Sequence, residues 1–346
     1  MLAYVYKRPG QFALEEKPLP ELQGERDAIV RVTLASVCTS DLHIKHGSVP
    51  RAVPGVTVGH EMVGVVEKTG NGIKNLRTGD RVAVNVETFC GSCFFCKNGF
   101  VNNCTDPNGG WALGCRIDGG QAEYARIPFA DTNLIPIPDG VSDERALFTG
   151  DLLSTGYWAA KIAEIRKGDT LLVIGAGPAG YCAALCALLH APARLVVCES
   201  DPFRRAFLQE HIPQAEAVSP AQALPLLSRT ERGGADAVIE AAGTKESFRL
   251  AWECARPNAV VAVVAMYEEA QTLPLPDMYG KNLTFKTGGV DGCDCRKVME
   301  LIAAGALDAT PLITHRVPFS EIDRAYELFE AKKDGVMKIA VQMEHM

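Results

Sequence analysis

The rhythm of apolar and polar positions changes near residue 142. Before it, short runs of alternating character at 28–34, 61–68, 81–86 and 122–127 are separated by turn clusters such as Gly70-Asn71-Gly72, Thr78-Gly79-Asp80 and Asp118-Gly119-Gly120. Alternation punctuated by glycine predicts the strands of a β-rich, partly barrel-like domain. Ser142-Asp143-Glu144-Arg145 reads as a helix start, and residues 154–165 follow at helical period. From Asp169 onward strands and helices alternate: strand 170–174, helix 179–189, strand 195–198, then strands at 237–239, 259–264 and 283–287. That order predicts an α/β fold, a doubly wound parallel sheet with helices on both faces. Helices are expected at 297–304 and 320–332, and the apolar strand 338–342 is expected to return to the first domain's sheet. The α/β domain, 154–290, is thus read as an insertion between 1–153 and 291–346. The crevice between such domains is the expected active site.

A length of 346 residues suits two domains of ordinary size. A net charge of −7, with no run of Lys or Arg, argues against nucleic acid and anionic membranes as partners. The longest apolar stretches, near 171–174 and 259–266, fall short of the ~20 residues that span a bilayer. The opening residues lack the apolar core of a secretion signal, so a cytoplasmic location is expected. In a reducing compartment, 12 cysteines point to metal rather than to disulfides.

The strand 170–174 runs into Gly175-Ala176-Gly177-Pro178-Ala179-Gly180, a G-x-G-x-x-G. Gly175 permits the tight turn, Gly177 lets backbone N–H groups approach a pyrophosphate, and Gly180 lets helix and strand pack closely. The helix beginning at Pro178 adds N–H donors and a positive dipole end. Such a motif alone is weak, but Glu199 lies 19 residues after Gly180 at the end of the next strand, where an acid hydrogen-bonds the adenosine ribose. A carboxylate there repels a 2′-phosphate, which favours NAD and leaves NADP the weaker alternative. Arg204 and Arg205 are the counter-evidence, since either can reach a phosphate; otherwise they are solvated residues of the next helix.

Cys90, Cys93, Cys96 and Cys104 form a C-x2-C-x2-C-x7-C. Four thiolates in a short loop suit a closed tetrahedral zinc site with no open position, hence a structural one. An iron–sulfur cluster is the rival, but bacterial cluster loops end in x3-C-P, whereas Thr105 follows Cys104 here. Cys38, His60, Glu61 and Asp151 are dispersed and singly unremarkable.

Taken together, these segments resemble the medium-chain zinc-dependent alcohol dehydrogenases. The likeness is carried by Gly59-His60-Glu61-x2-Gly64-x5-Gly70-x2-Ile73, by Cys38-x-Ser40-Asp41-x-His43, by the four-Cys lobe, by Gly79-Asp80-Arg81-Val82, by Asp151-x3-Thr155-Gly156 and by the Gly-rich turn. It covers nearly the whole chain. It implies a GroES-like catalytic domain, a Rossmann cofactor domain, and two zinc ions per chain. The catalytic ion would be held by Cys38, His60 and Asp151, a third position filled by Cys in many members, with Glu61 beside the metal and exchanging with water as a ligand. One thiolate, one neutral imidazole and one carboxylate leave a fourth position open and the site near neutral. Asp41 is expected to accept a hydrogen bond from the other nitrogen of His60, or else to cap its turn.

The resemblance implies reversible oxidation of an alcohol to an aldehyde or ketone, with NAD taking the hydride. Ser40 would bond the substrate oxygen and His43 would pass its proton to solvent; imidazole, with a reference pKa of about 6.5, suits that duty. Thr155 would pack near the nicotinamide. A polyol, threonine or formaldehyde dehydrogenase of the same superfamily is the alternative. A zinc-free reductase is disfavoured by Cys38, His60 and Asp151, and a non-enzymatic zinc-binding regulator by the presence of the whole set. The implied assembly is a homodimer or homotetramer joined through an edge strand near 283–287. Trp111 either lines the substrate pocket or anchors its loop. Cys115, Cys182, Cys186, Cys198, Cys254, Cys293 and Cys295 are read mostly as small buried hydrophobes, with no role for the Cys293-Asp294-Cys295 pair.

Overall fold

The structure, a computed structural model, describes residues 1–344. The chain divides into two units, Met1–Ser154 with Asp291–Met346, and Thr155–Val290. No helix among the described residues is long and apolar enough to cross a membrane.

The first unit is built on a seven-stranded sheet. Its order is Ile313–Pro318, Lys338–Gln342, Ala28–Ser36, Met62–Thr69, Arg81–Val84 and Leu134–Pro136. Strand Ala28–Ser36 is shared: its first residues pair with Tyr124–Ile127, its last with Lys338–Gln342, and its other edge with Met62–Thr69. Register shifts at Ile29/Val30 and Val32/Leu34 bend this strand so that it can serve three partners. The alternation that predicted these strands reflects one buried face in Tyr124–Ile127, whereas Arg81–Val84 is buried on both faces after its first residue. Strand Lys338–Gln342 does return to this sheet, antiparallel to residues 34–36.

The second unit holds a six-stranded parallel sheet in the order Ala215–Val218, Arg194–Cys198, Thr170–Ile174, Ala235–Glu240, Ala255–Val263 and Thr284–Thr287. The strand order reverses between Thr170–Ile174 and Ala235–Glu240, the topological switch point at which open α/β sheets bind ligands. These central strands are buried almost throughout, which explains their apolar runs at 171–174 and 237–239. Helix Pro178–Leu188 packs small buried residues, Gly180, Cys182, Ala183, Ala184 and Cys186 among them, so it can lie close to the sheet.

Several elements depart from the sequence pattern. The helix expected at 154–165 runs Leu152–Ile162, because Glu164 takes a left-handed φ of 54° and ends it. Strand Ala255–Val263 starts four residues before the expected 259, where polar Asn258 masks the pattern. The hairpin Leu2–Arg8 and Gln11–Glu16 turns at Pro9-Gly10, with Gly10 at φ 84°, and its strands carry too many charges to stand out.

Gly180 is the tightest joint of the second unit. A Cβ there would stand 1.8 Å from the carbonyl oxygen of Gly175. Gly180→Val is therefore expected to destabilise the protein by at least ~3 kcal/mol, the upper end for overpacking, since backbone rather than a side chain must move. A chemical-denaturation midpoint unchanged from wild type would contradict this.

Candidate active site

The four-cysteine lobe is assembled by local turns. Cys93 caps the short helix Phe94–Lys97, and its sulfur accepts the N–H of Cys96 at 3.5 Å. The sulfurs of Cys93 and Cys96 lie 3.4 Å apart, those of Cys90 and Cys96 3.9 Å, and the sulfur of Cys104 accepts the N–H of Cys90 at 3.5 Å. Tetrahedral zinc with bonds of ~2.3 Å places its sulfurs ~3.8 Å apart, so the spacing fits one ion, with no room for iron and sulfide between the thiols. Backbone N–H groups of Cys96 and Thr105 lower the Cys93 thiol to about 6. Burial pushes Cys96 the other way. A divalent cation held by the four sulfurs would remove that conflict by favouring four thiolates at once.

The second cluster joins three distant stretches of the first unit. Cys38 follows strand Ala28–Ser36 by two residues and caps helix Thr39–Lys45, His60 precedes strand Met62–Thr69, and Asp151 precedes helix Leu152–Ile162. Their donor atoms all fall within 4.8 Å of one another. Nε2 of His60 is 3.2 Å from Oδ2 of Asp151, and Sγ of Cys38 is 3.9 Å from the same oxygen. This is the spacing of ligands on a single ion, and the thiolate, imidazole and carboxylate set suits zinc. Burial opposes a charge on His60, but Asp41, Asp151 and Cys38 together raise it well above the usual imidazole range. Nδ1 of His60 lies 3.1 Å from Oδ1 of Asp41, within ion-pair distance but angled off hydrogen-bond geometry.

Ser40 and His43 sit three residues apart on helix Thr39–Lys45 and so share a face. The Ser40 hydroxyl is 3.8 Å from Sγ of Cys38, and His43 lies one turn further along. Glu61 is fully buried beside His60, but its carboxylate Oε2 meets the ammonium of Lys338, which also donates to the carbonyl of Val37 at 2.9 Å. Burial works against the charge of Lys338, but Cys38 and Glu61 hold it above the usual lysine range. Lys338 was not among the sequence candidates; the available signal was a lysine within the apolar strand Lys338–Gln342.

Trp111 stands edge-on to His60, with ring centroids 5.9 Å apart, and the guanidinium of Arg51 lies 5.0 Å over its indole. Glu87, paired with Trp111 across a short ladder, was also missed. Burial, with Asp151 and Asp291, pushes its carboxyl well above the ordinary range against the pull of Arg51 and His60. Of the remaining cysteines only Cys293 is exposed; Cys295 is buried 3.1 Å from the Ser154 hydroxyl.

In the second unit, Gly175 takes φ 97°, which only glycine adopts freely, and Gly177 caps the helix that Pro178 opens. The Glu199 carboxylate accepts the N–H of Ala176 at 2.8 Å and that of Asp201 at 2.9 Å. Arg205 is engaged on the carbonyls of Glu199 and Ser200, both at 2.7 Å, while Arg204 lies over Gly177, where a Cβ would stand 3.4 Å from its guanidinium. Thr155 is half-buried on helix Leu152–Ile162.

Comparison with known proteins agrees with this arrangement. The family description "Alcohol dehydrogenase GroES-like domain" matches residues 24–139, and "Zinc-binding dehydrogenase" matches residues 178–304. An alcohol dehydrogenase of Cupriavidus necator is 32% identical over 99% of this chain and 98% of its own length. The chain belongs to the zinc-dependent medium-chain alcohol dehydrogenase family. Among solved structures, the alcohol dehydrogenase TADH of Thermus sp. ATN1 is 34% identical, with a TM-score of 0.91 over 99% of this chain and 100% of the other. The Escherichia coli rspB alcohol dehydrogenase, solved with the cofactor NADH, is 27% identical, with a TM-score of 0.88 over 99% of each chain. This alcohol dehydrogenase family member is thus an oxidoreductase, with a GroES-like first unit and a Rossmann-type second one.

Lys338→Met leaves Glu61 buried without its counter-charge. The expected cost is about 3–5 kcal/mol, the range for breaking a buried pair from one side. Thermal and urea unfolding check it, and a variant as stable as wild type would show that the pair carries no such load.

Proposed function

We propose that this protein reversibly oxidises an alcohol to an aldehyde or ketone with NAD, using a catalytic zinc at Cys38, His60 and Asp151 and a structural zinc at Cys90, Cys93, Cys96 and Cys104. The observation that carries the reading is the three-donor cluster beside the Ser40 hydroxyl, a ligand set with one position to spare. When bound, zinc supplies the Lewis acidity that lowers an alcohol's pKa, and NAD supplies the hydride acceptor. Ser40 accepts the hydroxyl proton by hydrogen bond, and His43, on the same helix face, carries it toward solvent. Asp41 holds the imidazole of His60 by its Nδ1 side, leaving Nε2 toward Cys38 and Asp151. Glu61 stands by as a fourth protein donor, held by Lys338.

NAD rather than NADP is supported by Glu199, whose carboxylate stands at the Gly-rich turn where a 2′-phosphate would meet like charge. The use of Arg205 on backbone carbonyls removes one of the two arginines that could answer such a phosphate. The NADH found with the rspB dehydrogenase is consistent with this choice. Thr155 is assigned to the nicotinamide end of the cofactor. Pairing of copies through the sheet-edge strand Thr284–Thr287 belongs to the same reading, because an uncovered edge invites a partner.

Metal analysis is the first test. Two zinc ions per chain are expected, falling to one in Cys93→Ser, whose folding yield should drop before its chemistry does; a wild type with one zinc or none would sink the assignment. Assays of primary, secondary and polyol alcohols with NAD and NADP in parallel are expected to favour NAD. Ser40→Ala and His43→Ala should each lower kcat by about 10²-fold or more with zinc content intact. If both keep wild-type rates across the pH range, the relay is wrong.

A further inference from the structure

Behind the dispersed metal cluster runs a chain of buried polar groups that neither the ligand set nor the proton path uses. Asp41, wholly buried, turns Oδ1 toward His60; its Oδ2 accepts the N–H of Cys38 at 3.0 Å and the amide Nε2 of Gln121 at 3.3 Å. Gln121 is also wholly buried. Its Nε2 donates a second time, to the carbonyl of Ser36 at 3.2 Å, and its Oε1 accepts the hydroxyl of Tyr326 at 2.8 Å. Tyr326 comes from the late helix Ile322–Ala331 and is almost completely enclosed, its ring 5.1 Å from Tyr4 and edge-on to Phe12 at 5.4 Å.

The orientation of this amide is fixed from both ends. Turned over, its oxygen would face the carboxylate of Asp41 and the carbonyl of Ser36, two acceptors, at a position closed to bulk solvent. The backbone around it is shaped for that one side chain. A Cβ on Gly59, the residue before His60, would stand 2.4 Å from Cγ of Gln121. The N–H of Gly120 donates to the carbonyl of Gly59 at 2.9 Å, and that of Gln121 to Val58 at 3.0 Å, which lays this segment flat against the Gly59-His60 turn.

We propose that Gln121 and Tyr326 are positioning residues for the catalytic metal: together they fix the Asp41 carboxylate, which in turn fixes the imidazole of His60 with Nε2 directed at the metal position. The inference rests on the metal assignment given above. Outer partners of a metal-bound histidine set both ring orientation and basicity, and their loss weakens metal binding by about 10–100-fold. One bond further out, the lower end of that range applies.

The test uses the zinc-loaded full chain, with Gln121→Met and Tyr326→Phe. Both variants should keep the four-cysteine zinc. The second zinc should pass to a competing chelator about tenfold more readily than in wild type. With cobalt(II) in place of that zinc, the visible absorption band should shift in both variants. A variant that melts earlier yet holds its metal and its cobalt spectrum as wild type does would overturn the proposal, since that is what a packing role alone produces. Should Gln121→Met fail to fold, Tyr326→Phe, which removes one oxygen atom, decides the matter on the same two measurements. A wild type holding two zincs with indifferent variants overturns this inference alone; a wild type holding only one overturns the functional reading, and this inference with it.

Discussion

Like charges buried side by side are the constraint on which the first unit depends. Cys38, Asp41, Glu61 and Asp151 gather around a single imidazole, with Asp41 and Glu61 shut off from solvent. In a medium of low dielectric such a gathering costs far more than it would at the surface, and cations must answer it. His60 answers in part, which is why its neighbours raise its affinity for a proton although burial opposes this. Lys338 answers Glu61. A divalent ion between Cys38, His60 and Asp151 would answer the rest and displace that proton, the usual exchange when metal binds. The fold supplies the means: a bent strand shared among three partners and a glycine segment pressed against the turn before His60.

The second unit meets its requirement differently. Its Gly-rich turn offers backbone groups, opening a helix at the switch point of the sheet and steadied by one carboxylate. Backbone sites need only a short run of sequence to specify them. Side-chain clusters such as the one around His60 need the whole domain.

That difference governs what could be read from the sequence. Strands Thr170–Ile174 and Lys338–Gln342 matched the apolar pattern to the residue, because buried strands admit few polar interruptions. The Gly-rich turn and the four-cysteine lobe were legible because their residues are close neighbours in the chain. Cys38, His60 and Asp151 became legible only through the family resemblance, and the structure brings their donor atoms together. Lys338, Gln121, Tyr326 and Glu87 stayed hidden. Each acts on a residue remote in sequence, and no local spacing rule spans such distances. The N-terminal hairpin was missed for a related reason: its charged, partly exposed strands are stabilised by pairing with each other and not by a strong apolar rhythm.

Glu61 and Lys338 are separated by 277 positions in the chain. Their pairing therefore sets an order on biosynthesis. A nascent chain that has already emitted Cys38, His60 and Asp151 still lacks the ammonium that lets Glu61 be buried, and still lacks Tyr326 as well. The strand Lys338–Gln342, which follows all of them in the chain, pairs with residues 34–36 and brings that charge with it. Pairing of this strand and burial of Glu61 are thus coupled, and loss of the strand strikes the surroundings of His60 as directly as a substitution beside it.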